Sequence, residues 1–454
     1  MEFDLAIIGA GPGGYTAAEA AAKEGLSVVL FEQDKLGGTC LNRGCIPTKA
    51  LLHAAETWEA INKADELGIH VEGATYDFAA MHARKDTVVD ALRDGIAKLM
   101  KTSKVCVVQG SAQIVDAGTV VCNGETYTVR DIIIATGSIP SVPPIAGRDL
   151  PGVFTSDAVL EDGGKELTSL AIIGGGVIGV EVAGIYAALG CKVTVMEALD
   201  RLLPPMDKDI SARLTASFKK QGVTVAAKAR VMGIAEGADG GLVVTYEDKA
   251  GKSHEVAAEG VLIATGRRAN VAGLFADGFE VELERGAVVG DEAGRTSVPH
   301  VYVIGDAKAR NIQLAHVAEA QAKNAVAVIA GKEPTVDVNV VPSCVYTSPE
   351  IASVGMTEEE AKAAGIEVRC SKSLAGANGK CLIDGCASGY IKLVADASTD
   401  VLLGAQLVYP RATDLVSELA LAVQQKLTVD AVADVIHPHP TFSEGVLAAA
   451  EAML

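Results

Sequence analysis

The stretch Gly37-Gly38-Thr39-Cys40-Leu41-Asn42-Arg43-Gly44-Cys45-Ile46-Pro47-Thr48-Lys49 decides how this chain is read. Two cysteines stand five positions apart, soon after a glycine-rich turn of the kind that binds nucleotides. A cysteine pair alone is open to a structural, a metal-binding or a redox reading. A helix turns about 100° per residue, so positions five apart are roughly 140° out of line. A bond between Cys40 and Cys45 therefore needs a helix that starts between them or is locally distorted. So small a ring removes little chain entropy and makes a poor staple. Strained, accessible disulfides are the reducible ones, which favours a dithiol that exchanges electrons.

Working outward, Asp4-Leu5-Ala6-Ile7-Ile8-Gly9-Ala10-Gly11-Pro12-Gly13-Gly14 recurs as Ser169-Leu170-Ala171-Ile172-Ile173-Gly174-Gly175-Gly176-Val177-Ile178-Gly179. Each copy is an apolar strand, then G-x-G-x-x-G, then an Ala-rich helical run. A second strand follows each and ends in an acid, Glu32 or Glu197, at the same offset from the first glycine. A lone glycine pattern is weak; strand, helix and acid in register make a dinucleotide site. The glycines let backbone N–H groups and a helix N-terminus face a pyrophosphate. The acid accepts from ribose hydroxyls.

Each unit closes on a strand and an A-T-G turn, Ile132-Ile133-Ile134-Ala135-Thr136-Gly137 and Val261-Leu262-Ile263-Ala264-Thr265-Gly266. Val301-Tyr302-Val303-Ile304-Gly305-Asp306 adds a strand with a glycine–acid turn, where an acid suits a flavin's ribityl hydroxyls. In this order the segments point to a bound FAD and a second dinucleotide. Beside a flavin, the Cys40/Cys45 pair is read as a disulfide that takes two electrons from a substrate thiol.

The composition agrees. At 454 residues the chain should hold about three domains. It is 49% hydrophobic and 21% charged, which suits a large core, and its 48 glycines suit many tight turns. The formal charge of −19, without long basic stretches, argues against nucleic acid. Residues 170–191 carry one charge, Glu181, yet contain six glycines. They read as a buried strand, turn and helix rather than a membrane span. A strand begins by residue 4, leaving no room for a targeting segment, and a reducing cytoplasm is expected.

On the dithiol run, the A-T-G and G-D turns, Gly376-Ala377-Asn378-Gly379-Lys380 and Pro438-His439-Pro440-Thr441-Phe442-Ser443-Glu444, the whole chain resembles the dihydrolipoamide dehydrogenases of the pyridine nucleotide-disulfide oxidoreductase family. The resemblance implies an α/β fold of two Rossmann-like dinucleotide-binding domains plus a C-terminal α+β interface domain. The implied division gives residues 1–145 to FAD binding, 146–270 to an NAD-binding domain, 271–336 to a second FAD-binding segment and 337–454 to an interface domain. It implies noncovalent FAD held by Gly9, Gly11, Gly14, Glu32, Ala135, Thr136, Gly137, Asp306 and Ala315. Lys49 would lie near the flavin, paired with Glu181. Gly174, Gly176, Gly179, Glu197 and Gly266 would take the nicotinamide dinucleotide. A homodimer is implied, in which His439 of one subunit serves Cys40 and Cys45 of the other.

The implied reaction oxidises a protein-bound dihydrolipoyl group and reduces NAD⁺, within a 2-oxo acid dehydrogenase or glycine cleavage system. Cys40 would exchange with the lipoyl sulfur and Cys45 would face the flavin. His439, its basicity raised by Glu444, would take the thiol proton. A carboxylate at Glu197 repels a 2′-phosphate and favours NAD, although Arg201 is close. Metal is not expected at His437 and His439, since no further ligand cluster appears, and His437 is read as structural. Cys381 and Cys386 repeat the five-residue spacing without its flanks and are read as buried or strand cysteines. Cys106, Cys122, Cys191, Cys344 and Cys370 are read as core.

Three rivals remain. Glutathione-type reductases, driven by NADPH, want basic residues near position 197. Mercuric reductases add a C-terminal cysteine pair, and this tail ends Glu451-Ala452-Met453-Leu454. The third is a mainly structural or binding subunit of a multienzyme assembly. Thr48, Phe154-Thr155-Ser156-Asp157, and Val180 and Val182 depart from the family's usual runs, most of them in the nicotinamide half.

Overall fold

A computed structural model describes every residue except 162, 163 and 239. The strand Glu2–Ile8 is the hub of the first sheet; its apolar half, Leu5–Ile8, is the buried part, as a strand covered on both faces must be. It pairs in parallel with Val28–Glu32 on one side and Glu125–Ile134 on the other. Cys106–Gln109 extends the first edge, and the antiparallel Thr119–Cys122 and Ala112–Asp116 extend the second. Val301–Val303, from far along the chain, also pairs in parallel with Glu125–Ile134, with Tyr302 opposite Ile133.

The helix Pro12–Lys23 starts with proline, whose missing N–H costs nothing there. Its small residues let the helix Ala315–Ile329 approach closely; a Cβ on Gly13 would meet the Ala318 methyl at 3.2 Å. The second unit repeats the design. Ser169–Ile173 lies between Lys192–Glu197 and Gly260–Ile263, with Thr224–Ala227 and Val153–Thr155 outside, all parallel. As expected for residues 170–191, a strand, a turn and the helix Val177–Ala188 fill that stretch. Among the described residues no helix is long and apolar enough to cross a membrane.

An antiparallel three-stranded sheet, Arg230–Glu236, Leu242–Glu247 and Ser253–Ala258, hangs on this unit. A short ribbon pairs Ser138–Pro140 with Arg267–Ala269 and so joins the two A-T-G turns. The last sheet is antiparallel, in the order Ser343–Val345, Ile351–Gly355, Leu402–Val408, Tyr390–Asp396, Val368–Leu374. The helices Ala412–Gln424 and Glu444–Glu451 contribute to its core through Val416, Leu419, Val446 and Ala449. One apolar cluster crosses between units: Leu51 and Leu52 pack with Ile172 and Val195, and with Val345 and Tyr390 of the last sheet.

The fingerprint glycines divide into two jobs. Gly9 and Gly174 have φ of +101° and +113° and press on the A-T-G turns: a Cβ would sit 2.4 Å from the Ala135 oxygen and 2.3 Å from the Ala264 oxygen. Cβ atoms on Gly14 and Gly179 would sit 1.8 and 2.0 Å from the carbonyl oxygens of Gly9 and Gly174. Gly176 meets nothing within 4 Å. Gly179→Ala is therefore expected to destabilise the fold by about 1–3 kcal/mol through overpacking, read as a lowered thermal midpoint. Gly176→Ala should leave the midpoint of the ligand-free protein unchanged.

Candidate active site

The dithiol is placed by its own flanks. Gly37 N–H donates to the Ala10 oxygen at 2.8 Å, and a Cβ on Gly38 would meet Gly11 Cα at 2.6 Å. The redox loop thus lies directly on the first fingerprint turn. Asn42 Nδ2 donates to the oxygens of Leu36 and Gly38, at 3.0 and 2.9 Å, and locks it.

A short helix, Gly38–Arg43, carries Cys40, and a second, Cys45–Asn62, begins at Cys45. Between them Gly44 leaves helical geometry, with φ −143° and ψ −114°. This is the helix start that the five-residue spacing required. A Cβ on Gly44 would meet the Thr39 oxygen at 2.9 Å and Cys40 Cα at 3.2 Å, so the break is also a close approach.

The two thiols stand close enough to perturb each other. Its Cys40 neighbour holds the Cys45 thiol down at about 7, helped by Lys49 and opposed by burial. The Cys40 thiol is pushed up in turn, by its Cys45 neighbour and by burial. Cys45 also stands at a helix N-terminus, where partial positive charge favours a thiolate. Lys49, one turn on, donates from Nζ to Glu181 Oε2 at 2.7 Å and lies 4.5 Å from the Tyr346 ring centroid. Glu181 Oε1 accepts the Tyr346 N–H at 3.0 Å. One carboxylate therefore joins the redox helix, the second fingerprint helix and the last sheet.

Around the dithiol opens a cleft of about 1420 Å³. That is beyond the roughly 300–1,000 Å³ of a single small-molecule site. It is lined by Gly9, Gly11, Glu32, Lys49, Asp306 and Ala315, by the A-T-G turn Ala135–Gly137, and by Gly174, Gly176, Glu181, Glu197 and Gly266. Gly14 and Gly179 lie outside its lining and serve the turns instead. The two acids repeat one geometry. Glu32 accepts from the amides of Ala10 and Asp34 at 2.7 and 2.8 Å, and Glu197 from those of Gly175 and Leu199 at 2.6 and 2.7 Å.

Asp306 Oδ2 accepts from Ser138 Oγ at 2.6 Å, and burial pushes its carboxyl up. Ser138 Oγ in turn accepts from Arg267 Nε at 2.8 Å, and Arg267 Nη2 donates to the Ser138 oxygen at 2.7 Å. Arg267 also reaches Thr39 Oγ1 at 3.4 Å, next to Cys40. The sequence shows Arg267 only as the residue after an A-T-G turn. Its one signal is position: it and Ser138 follow corresponding turns.

His439 and Glu444 do not line this cleft. His439 is exposed on the last domain, with Nδ1 2.8 Å from Glu444 Oε1. The Thr441 amide, then His439, hold the Glu444 carboxyl below its usual range. His437 is tied at both nitrogens, to the Val435 oxygen at 2.8 Å and Glu418 Oε1 at 3.0 Å. No metal-binding group of three ligands occurs among the described residues. Two cysteine readings need correction. Cys370, read as core, is exposed, because the strand Val368–Leu374 lies at a sheet edge; Cys386, read as buried or in a strand, is exposed past the end of a short helix. Cys381 is buried as read, within that helix.

Residues 3–322 match the family model described as pyridine nucleotide-disulphide oxidoreductase, and residues 341–450 match its dimerisation domain. The chain belongs to this family. A relative from Thermus scotoductus called dihydrolipoyl dehydrogenase is 41% identical, covering 99% of this chain and 97% of its own. Another of that name, from Bacillus subtilis, is 40% identical over 98% and 96%. Among solved structures, LpdA from Mycobacterium tuberculosis superposes with a TM-score of 0.90 at 27% identity, covering 99% of this chain and 100% of its own. The HOCl-induced flavoprotein disulfide reductase RclA of Escherichia coli gives 0.87 at 29%, covering 99% of each.

Membership makes the chain an oxidoreductase whose cofactors are FAD and a nicotinamide nucleotide. The residues fit both. Gly176 faces open space and a Cβ on Gly11 would meet only Gly38 Cα, at 3.8 Å, so both leave room at the N-termini of two helices. Thr136 Oγ1, in the cleft lining, is buried without a partner.

In reduced, flavin-free protein, the alkylation rate of Cys45, read by peptide mapping, should inflect near pH 7, rising as the thiolate forms. Cys40→Ala and Lys49→Met should each move that inflection toward 9.0, the ordinary thiol value.

Proposed function

We propose that this chain is a dihydrolipoyl dehydrogenase, oxidising protein-bound dihydrolipoyl groups and reducing NAD⁺, and that it works as a homodimer. The carrying observation is a thiol pair at a helix start, beside Lys49 and Glu181, in a cleft shared by two dinucleotide fingerprints. We propose the same division into domains: 1–145 and 271–336 for FAD, 146–270 for NAD, and 337–454 for the interface. Large exposed apolar residues in that last domain, Leu374, Leu382, Ile383, Leu421 and Ile436, support a second copy covering it.

Gly9, Gly11, Glu32, Ala135, Thr136, Gly137, Asp306 and Ala315 hold FAD in this reading, and Gly174, Gly176, Glu197 and Gly266 hold the nicotinamide nucleotide; Gly14 and Gly179 act indirectly, by letting the two turns close. NAD is favoured over NADP because Glu197 lines the cleft. Arg201 is outside the lining, with Nη2 on the Pro204 oxygen at 3.3 Å.

In the proposed reaction, Glu444 holds the Nδ1 proton of His439, leaving Nε2 free to accept. His439, brought to the dithiol of the other subunit, takes a proton from one dihydrolipoyl thiol. The thiolate attacks Cys40 Sγ, the Cys40–Cys45 bond breaks, and Cys45 leaves as thiolate. The second dihydrolipoyl thiol gives up its proton to solvent, and its sulfur closes the lipoyl ring and displaces Cys40, which takes the first proton back from His439. The electron pair now rests on the dithiol, with the Cys45 thiolate stabilised by Cys40, Lys49 and the helix start. Bound FAD supplies two-electron chemistry that carries this pair on to NAD⁺ as hydride. A lipoyl-bearing protein of a 2-oxo acid dehydrogenase or glycine cleavage system is the proposed partner.

Purified holoprotein should form NADH from dihydrolipoamide and NAD⁺, and far more slowly from NADP⁺. FAD-loaded protein without turnover would favour a binding role instead. On anaerobic two-electron reduction a long-wavelength absorbance band should appear, and be missing in Cys45→Ser. His439→Gln should lower kcat by about 10²–10⁴-fold, as loss of a general base does, with the flavin spectrum unaltered.

A further inference from the structure

Lys392 lies on the strand Tyr390–Asp396 of the dimerisation domain and is buried. Burial alone would strip its charge, but the surrounding carboxylates outweigh it and hold the ammonium above the usual lysine range. Its Nζ is 3.0 Å from Asp207 Oδ2, 3.0 Å from Glu358 Oε2 and 3.6 Å from Asp209 Oδ2. Asp209 and Glu358 have other lysines, Lys372 and Lys362, each at 2.6 Å. Asp207 has only Lys392 as an ion-pair partner among the described residues.

Asp207 is the pivot. One oxygen accepts the Asp209 amide at 2.8 Å and caps the helix Lys208–Lys220; the other takes Lys392. The chain between Glu197 and Asp207 is hung from the second fingerprint. Leu203 N–H donates to the Gly175 oxygen at 2.9 Å, and Ser211 Oγ donates to the Leu202 oxygen at 2.6 Å. Leu199, Pro204 and Pro205 from this segment line the cleft beside Glu197. A wall of the second dinucleotide site is thus fastened at one end to its own turn and at the other to a lysine of a different domain.

We infer that Lys392 is a positioning residue for the nicotinamide nucleotide, holding Asp207 and through it the wall formed by Leu199, Pro204 and Pro205. The inference rests on the reading that the second fingerprint takes NAD(H). Without the ammonium, the buried Asp207 faces the half-exposed Asp209 and Glu358 with no cation between them, so the carboxylates move apart or one takes a proton. Either outcome loosens the wall and leaves the dithiol, set on the first fingerprint, in place.

The test is steady-state kinetics of full-length holoenzyme with dihydrolipoamide and NAD⁺. Lys392→Met should raise the KM for NAD⁺ about tenfold, with kcat and the KM for dihydrolipoamide within about twofold, a loss of uniform binding. Lys392→Arg, which keeps the charge, should restore most of the NAD⁺ affinity. If Lys392→Met does not fold, Asp207→Asn decides, because it keeps the capping oxygen and loses the charge; it should raise the same KM by a smaller factor. An unchanged KM for NAD⁺ in a folded variant overturns the inference, as does an equal rise for dihydrolipoamide or a failure of arginine to rescue. Wild-type protein that does not turn over sinks the proposed function instead.

Discussion

Cys40 and Cys45 come together because the chain ends one helix and begins another at Gly44. A continuous helix would hold them on different faces, and Cys40 would no longer hold the Cys45 thiol down. Everything chemical in the molecule follows from that break. It puts Cys45 at a helix N-terminus, puts Lys49 one turn further on, and leaves Cys40 on the side held by Gly37 and Gly38 against the first fingerprint.

Glu181 then makes the dithiol a member of a three-way joint. Its two oxygens hold Lys49 of the redox helix and the Tyr346 amide of the last sheet, while its own helix begins at the second fingerprint. A carboxylate so buried is tolerated because each oxygen has a donor. The apolar cluster around Leu51, Ile172, Val345 and Tyr390 packs the same three units together. Arg267 makes a second, polar joint between the two A-T-G turns, by way of Ser138 and Asp306.

Much of this was legible in the chain because it is local backbone chemistry. The fingerprints, their acids and the A-T-G turns must recur at fixed spacing for a glycine to press on a neighbouring carbonyl, as Gly9 does on Ala135 and Gly174 on Ala264. Pairing of Lys49 with Glu181 was expected from the resemblance, and it is present. Other features left no trace. The three-stranded sheet from Arg230 to Ala258 has no alternation strong enough to announce it. Arg267 on Ser138, and Lys392 on Asp207, join residues far apart in sequence. Cys370 and Cys386 look no different in sequence from Cys122, yet only the last is buried.

The amino-acid sequence by itself determined the duplicated dinucleotide turns, the two cysteines and the family, since each depends on residue types within a few positions of one another. Tertiary structure alone decided which oxygen each charge meets, which glycines face open cleft, and that His439 stands apart from the thiols of its own chain. The physical reason is range. A turn or helix start is set by its neighbours, whereas a buried ion pair or a shared cleft exists only after distant strands have taken their register.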